Sequence, residues 1–425
     1  MPDKYSENPL IAPPVEMLVE DVRFYSVAAK PDPQRGYPEL WWHGRRPFAG
    51  VHYYPAQHKE THGEPVDGWR NKLYWGDNLQ VMGHLLRKYR GQVKLIYIDP
   101  PFDSKADYKK KIEMRGETIE NDRTGFEEKQ YGDIWTNDEY LQFMYERLIL
   151  MRELLAFDGS IYLQCDWHRG HQLRNLMDEV FGPARFQNEI VWNYSGWNKR
   201  NQSYYNRRHD AIYYYSVGPC PYFEPYRRPW ASKEAYVSAR KQKVLIDESG
   251  REYVMSDAGG GERIRRFLDE AIAEGAHIDD VWAIDKLNNS DKEHVEYPTQ
   301  KPERLIERII SSSCPPGGLV FDCFMGSGTT QAVAMKLGRK FIGADINLGA
   351  VQTTTDRLLG IAKELKATKP TLFDDTQKAV PLYTSFEVHT VNQYDLFRSE
   401  VDARALLMEA LAISPTPGSG VWHGT

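Results

Sequence analysis

Asp99, Pro100, Pro101 and Phe102 follow directly on the apolar run Leu95-Ile96-Tyr97-Ile98, and together they hold the most explicit chemistry in the 425-residue chain. The carboxylate accepts hydrogen bonds. Two successive prolines stiffen the backbone and leave carbonyl acceptors without N–H donors, and the phenylalanine offers a flat apolar face. A planar group carrying an NH2, such as a nucleobase, fits this set, with its donors on Asp99 and a proline carbonyl and its π-face on Phe102. A proline turn with a solvated aspartate and a core phenylalanine accounts for the same four residues equally well.

A second cluster lies more than two hundred residues further on, where Leu319-Val320-Phe321 runs into Asp322-Cys323-Phe324-Met325-Gly326-Ser327-Gly328. A glycine loop between a strand and a helix lets a cofactor approach the backbone, and an acid ending the next strand, here Asp345, suits ribose hydroxyls. A dinucleotide fingerprint needs a third glycine where Gln331 stands, and a Walker loop needs Lys-Ser or Lys-Thr after the glycines. A nucleoside cofactor without a pyrophosphate fits better, and S-adenosylmethionine is the commonest of these. Taken alone, such a loop also serves tight packing, and Asp345 also suits a helix cap.

The elements that must carry these groups follow from periodicity. Ile96 and Ile98 are β-branched within a wholly apolar run, the pattern of a central strand buried on both faces. Lys72 to Asp77 reads as a strand ending in an acid, and Asn78 to Tyr89 as an amphipathic helix, so the unit is β-α-β and the sheet parallel. Asp77 is either the cap of that helix or a cofactor contact. A helix is expected from Asn137 to about Phe157, a strand over Ser160 to Asp166, a helix over His171 to Phe181, and strands over Glu189 to Tyr194 and Ala211 to Val217. Pro302 to Ser313 reads as a helix with proline in its first turn. Lys301 just before it is either a solvated lysine or a ligand contact.

Between these halves, residues 218 to about 290 break the β-α rhythm. Val244 to Met255 is expected to form a hairpin and Gly261 to Ala273 a short helix, which together describe an inserted subdomain. Lys199, Arg200 and Arg207 lie in a basic, aromatic and amide-rich loop, and Arg227 and Arg228 at the basic entry of the insertion. These five are the candidate nucleic-acid contacts. The expected division is an arm over 1–70, a catalytic half over 71–217, the insertion over 218–290, a cofactor-binding half over 291–365 and an extension over 366–425.

A hydrophobic fraction of 41% beside 27% charged residues describes a soluble globular chain, and no run approaches the ~20 apolar residues of a membrane helix. Four scattered cysteines without Cys-x-x-Cys suggest neither a disulfide framework nor a metal site, and a cytoplasmic home is expected. The net charge of −6 argues against a nonspecific nucleic-acid coat and leaves room for a local basic cleft.

Asp99-Pro100-Pro101-Phe102 preceding Phe324-x-Gly326-x-Gly328, with Thr299-Gln300-Lys301-Pro302 between them, resembles the amino-methylating DNA methyltransferases of the permuted β group, above all the modification subunits of type III restriction systems. The resemblance covers about Asn71 to Asp356. It implies an α/β, Rossmann-like S-adenosylmethionine-dependent methyltransferase sheet with circularly permuted motif order and an inserted target-recognition subdomain. By the same resemblance Asp99 and the Pro100 carbonyl would take the target amine, with Pro101 stiffening the turn and Phe102 stacking on the base. Asp322, Phe324, Gly326 and Gly328 would surround the methionine part of the cofactor, with Asp345 at its ribose, Asp77 at its adenine end and Lys301 near its carboxylate. Cys323 stands where many relatives have proline. The implied substrate is adenine N6 in double-stranded DNA. The alternatives are cytosine N4, a non-catalytic specificity subunit on the same fold, or RNA as substrate. A homodimer and a restriction subunit are the implied protein partners.

Overall fold

Apolar side chains alternate between the two faces of the central strands, so helices must cover both faces. In the computed structural model, residues 36–101, 137–196, 203–257, 260–295, 299–367 and 381–392 are described, with Tyr297 and short stretches at 16–19, 22–29, 31–32, 113–114, 117–118, 413–415 and 422–424. The central sheet holds β1 (Ala56–His62), β2 (Asn71–Trp75), β3 (Val93–Ile98), β4 (Leu155–Cys165), β5 (Phe186–Asn193), β6 (His209–Ser216), β7 (Val281–Ala283), β8 (Leu319–Asp322), β9 (Lys340–Asp345) and β10 (Phe386–Val391). Its helices are α1 (Asn78–Tyr89), α2 (Asn137–Leu154), α3 (Gly170–Phe181), α4 (Glu303–Ser313), α5 (Thr329–Lys336) and α6 (Leu348–Ala367). The strand order is β7-β5-β6-β4-β3-β8-β9-β2-β10-β1. From β4 to β10 all neighbours run parallel, while β6 lies antiparallel on β4 and β1 antiparallel on β10.

Ile96 and Ile98 of β3 share one apolar cluster with Met82 of α1, Met144 of α2 and Leu173 of α3, whereas Leu95 and Tyr97 belong to a second with Leu305 of α4, Val333 of α5 and Val351 of α6. Leu95, Ile96 and Ile98 are wholly buried, each contributing about 1.5–3 kcal/mol through removal of apolar surface from water. That burial fixes β3 in the middle of the sheet and therefore fixes where Asp99 emerges.

Several elements depart from the sequence expectations. The helix from Asn137 stops at Leu154, because Leu155 already pairs with Val93 and β4 starts there. The helix expected over Gly261 to Ala273 is replaced by a strand, Arg263–Phe267, followed by a helix, Leu268–Glu274. Ile264, Phe267, Leu268 and Ala271 carry helical spacing, yet the first part pairs antiparallel with Glu252–Asp257, from Tyr253 opposite Phe267 to Asp257 opposite Arg263. Strand pairing overrides local pattern there. The hairpin expected over Val244 to Met255 is present, with Leu245 opposite Tyr253. Tyr236, Val254, Leu268 and Ala271 form a separate small core in this inserted region.

Segments read as an arm and an extension both enter the central sheet. β10 lies between β2 and β1, with Phe386 opposite Asn71 on one side and His62 on the other. Trp42 of the arm is buried against Tyr145 and donates its Nε1–H to Gln142 Oε1 at 3.2 Å, while Trp41 is exposed. No helix among the described residues is long and apolar enough to cross a membrane.

Candidate active site

β3 and β8 are parallel neighbours, Val320 opposite Leu95 and Phe321 opposite Ile96. The chain leaves β3 towards β4 on one side and leaves β8 towards β9 on the other. Such a switch point opens a crevice beyond the strands' carboxyl ends. Asp99 stands at the exit of β3 and Asp322 ends β8, so the two remote motifs meet at this crevice.

Lys301 ties them together. Its Nζ forms an ion pair with Asp99 Oδ2, and its carbonyl accepts a hydrogen bond from Thr329 Oγ1, which opens α5 directly after the glycine loop, at 3.3 Å. Asp99 Oδ1, by contrast, is buried and has no hydrogen-bond partner among the described residues. An orphaned buried acceptor is costly, and one at the mouth of a crevice can take an N–H from a bound molecule. Burial raises the Asp99 carboxyl above its ordinary range; Lys301 opposes that shift, Asp210 adds to it and Lys286 opposes it.

Beyond Asp99 the crevice is walled by polar groups that the motifs did not reveal. Tyr97 donates its hydroxyl to Gln164 Oε1 at 2.6 Å, Gln164 donates to Asp210 Oδ2 at 3.2 Å, and Tyr194 donates to Asp210 Oδ1 at 3.1 Å. Lys286 Nζ sits 3.8 Å from the Tyr194 ring centroid, and burial lowers its pKa. The one sequence signal for this wall is that Gln164, Asp210 and Tyr194 are polar groups at the same edge of strands β4, β6 and β5.

On the other side, Asp322 is buried and accepts from the Phe324 N–H at 3.0 Å and from Thr330 Oγ1 at 2.6 Å. Burial pushes its pKa up to about 7. Asp345 Oδ2 accepts from the Gly326 N–H and Oδ1 from the Asn347 N–H, both at 2.9 Å, and burial lifts it to about 6. Asn347, not Asp345, reaches the first turn of α6, accepting from the Ala350 N–H at 3.2 Å.

Gly326 adopts φ +49°, and a Cβ there would lie 3.3 Å from the Tyr297 ring. Gly328 adopts φ +71°, where a Cβ would lie 2.5 Å from Thr354 of α6. The first glycine keeps a cradle open beneath Tyr297, and the second allows the loop to pack on α6. Phe324 is half-buried beside the cradle, 6.2 Å from Phe143.

Asp77 caps α1, accepting from the Leu79 N–H at 2.8 Å, and pairs with Arg147 at 2.9 Å. Arg147 lies 3.4 Å from the Phe143 ring centroid, which links Asp77 to the Phe324 side of the cradle. Pro100 is buried and Pro101 half-buried. Phe102, Lys199 and Arg200 lie outside the described residues. Arg207 is exposed, its guanidinium carbon 3.6 Å from the Trp167 ring centroid. In the insertion Arg227 pairs with Glu274 while Arg228 is exposed.

Residues 93–356 match the sequence model of the N6/N4 methyltransferase family described as DNA methylase. The type II methyltransferase M.EcaI of Enterobacter cloacae is 28% identical over 378 residues, which are 78% of this chain and 79% of that protein. The Mod subunit of the type III restriction-modification enzyme StyLTI, from Salmonella typhimurium strain LT2, is 25% identical over 353 residues, 67% of this chain and 51% of the subunit, so the chain spans about half of that relative. The crystal structure of the M1.HpyAVI–SAM complex aligns with a TM-score of 0.39 and 18% identity, covering 68% of this chain and 98% of that one.

Proposed function

The chain belongs to the N6/N4 DNA methylase family, and from that premise we propose that it transfers a methyl group from S-adenosylmethionine to the exocyclic N6 of adenine in double-stranded DNA. The observation that carries the reading is Asp99: one carboxylate oxygen is held by Lys301 and the other is a buried acceptor with no partner among the described residues. When bound, the cofactor supplies a methyl group activated by a positive sulfur.

The cradle fits that cofactor. Gly326 opens the loop, Asp345 keeps lone pairs for ribose hydroxyls beside the Gly326 amide, Asp322 and Phe324 line the methionine side, and Asp77 stands at the adenine side. Gly328 shapes the loop from behind.

An aromatic amine is a weak nucleophile because its lone pair is delocalised into the ring. Asp99 Oδ1 accepts one of its N–H groups and the Pro100 carbonyl the other, drawing the nitrogen towards tetrahedral geometry and localising the lone pair. Pro100 and Pro101 hold both acceptors rigidly, so orientation supplies much of the acceleration. Phe102 takes the face of the flipped base, whose extrusion costs a few kcal/mol. The Asp-Pro-Pro-Phe form favours adenine over cytosine, and the likeness to a type III Mod subunit supports the same choice. The region 218–290, with its own core, serves target recognition. A second copy of the chain and a restriction subunit are the partners that the likeness suggests.

The test is incubation with methyl-labelled S-adenosylmethionine and duplex DNA, followed by nucleoside analysis. We expect N6-methyladenine, lost in Asp99→Ala with cofactor binding retained. N4-methylcytosine would overturn the choice of base, and unlabelled DNA the reading itself.

A further inference from the structure

Lys286 reaches the same edge of the sheet as Asp99. β4 and β5 each run antiparallel to β6, β7 runs parallel to β5 and β3 parallel to β4, so β3, β4, β5 and β7 all end where β6 begins. Asp99 emerges from β3 there, Asp210 enters β6, Tyr194 leaves β5, and Lys286 follows β7 by three residues. The chain just before Lys286 is pinned. The Ile284 carbonyl accepts from Trp192 Nε1 at 2.7 Å, and Asp285 Oδ1 accepts from the Ser195 N–H at 2.9 Å.

Rings, not a counterion, place its ammonium. Nζ lies 3.8 Å from the Tyr194 ring centroid and 5.8 Å from that of Trp192, with no ion pair among the described residues. Tyr194 is fixed by Asp210, Asp210 by Gln164, and Gln164 by Tyr97, two residues before Asp99 on β3. A cation resting on a ring keeps N–H donors for another acceptor. Asp99, Asp210 and Lys301 all act electrostatically on Lys286, and the four formal charges cancel. A phosphate therefore meets no net attraction there, whereas a neutral acceptor loses nothing. The crevice thus offers an acceptor without a donor, Asp99 Oδ1, and a donor without an acceptor, Lys286. Their complement is a neutral planar edge on which an N–H stands next to a ring nitrogen with a lone pair, and adenine presents such an edge on either side of N6.

We propose that Lys286 donates a hydrogen bond to the ring nitrogen beside the target amine, N1 or N7 of adenine, and so reads the base that Asp99 grips. The inference rests on the adenine methyltransferase reading and adds to it a residue that fixes the ring in its own plane. Donation at a ring nitrogen draws electron density away from the amine, so Lys286 contributes recognition and no activation. A site built around such a bond rejects an analogue that has C–H in place of the nitrogen.

The full chain is first used to methylate plasmid DNA, and the modified adenine is mapped by sequencing. Duplexes carrying that site are then compared with adenine, 1-deazaadenine or 7-deazaadenine as the target, for the unaltered chain and for Lys286→Met. An analogue also changes how easily the base leaves the helix, so the quantity read is the ratio of its effect on kcat/KM in the unaltered chain to its effect in the variant. For one of the two analogues this ratio should be roughly tenfold or more, and that analogue names the nitrogen. Lys286→Arg, which keeps a charged donor, should remain sensitive to the same analogue, and unchanged S-adenosylmethionine affinity by calorimetry will show that both variants are folded. Ratios near one for both analogues would overturn the inference while leaving methyl transfer established, and a salt slope lowered by about one in Lys286→Met would then assign the lysine to a phosphate. A Lys286→Met chain that transfers nothing to any duplex, with cofactor affinity intact, would also overturn it, since recognition of one nitrogen costs a factor and not the reaction. An unaltered chain that labels no adenine overturns the parent reading and this inference with it.

Discussion

Replacing Lys301 by methionine removes the cation from Asp99 while keeping a side chain of similar length. A contact ion pair at an effective dielectric near 20 contributes ~4 kcal/mol. The two side chains are 14% and 17% exposed, and discounting for that screening leaves about 2 kcal/mol, a factor of about thirty in an ionisation equilibrium. The sign follows from the roles. Lys301 favours the charged carboxylate against burial, so its removal favours the neutral acid, which has lost acceptor character at the amine.

Methyl transfer by Lys301→Met should therefore fall by up to about thirtyfold on the acid limb of the kcat/KM profile and recover as the pH is raised, with that limb displaced upwards. Lys301→Arg should keep the original profile. The assay is label transfer to duplex DNA across a pH series, with cofactor affinity measured in parallel by calorimetry. An unmoved acid limb together with weakened cofactor binding would refute the reasoning and return Lys301 to the cofactor carboxylate. Loss of transfer at every pH would show instead that the lysine holds the crevice together.

Gly326→Ala should weaken S-adenosylmethionine binding roughly tenfold, since the left-handed backbone costs a side chain about 1–2 kcal/mol and the methyl group meets Tyr297; equilibrium dialysis measures it. Gly328→Ala should instead lower the melting temperature, because its Cβ is driven into Thr354. Asp322, lifted to about 7 from an ordinary 3.8, holds its proton more tightly folded than unfolded, so its penalty is absent below about pH 4 and complete above about pH 7. The product of shift and 2.303RT is about 4 kcal/mol, and Asp322→Asn should flatten the decline in melting temperature over that range. Replacing Arg227 and Arg228 together by alanine should lower DNA affinity and reduce the salt slope by about one, Arg228 supplying most of it, because Arg227 is already paired with Glu274; fluorescence anisotropy across a salt series checks this.

The chain's local signals place both motifs correctly because each is a short apolar strand followed by an abrupt change of residue type. β3 delivers Asp99, and β8 with its glycine loop delivers Asp322 and Gly326, at one crevice. What local pattern cannot carry is pairing at long range. The strand Arg263–Phe267 has helical spacing and is a strand only because Glu252–Asp257 is beside it. β1 and β10 meet across more than three hundred residues, and neither segment has a pattern that names its partner. Lys301 belongs to the same class: its sequence position suits a helix start, and only the adjacency of β3 and α4 gives it Asp99. The Gln164–Asp210–Tyr194 wall is likewise assembled from three strands, with no recognisable spacing between them.

The insertion of β10 between β2 and β1 has a consequence for biosynthesis. During translation β2 has only β9 to pair with until residues 386–391 have left the ribosome, so one edge of the sheet next to Gly76 and Asp77 stays open and adhesive throughout. A chain stopped before Phe386 would carry both chemical motifs and still expose that edge. Nascent protein is thus complete in its motifs well before it is closed as a structure.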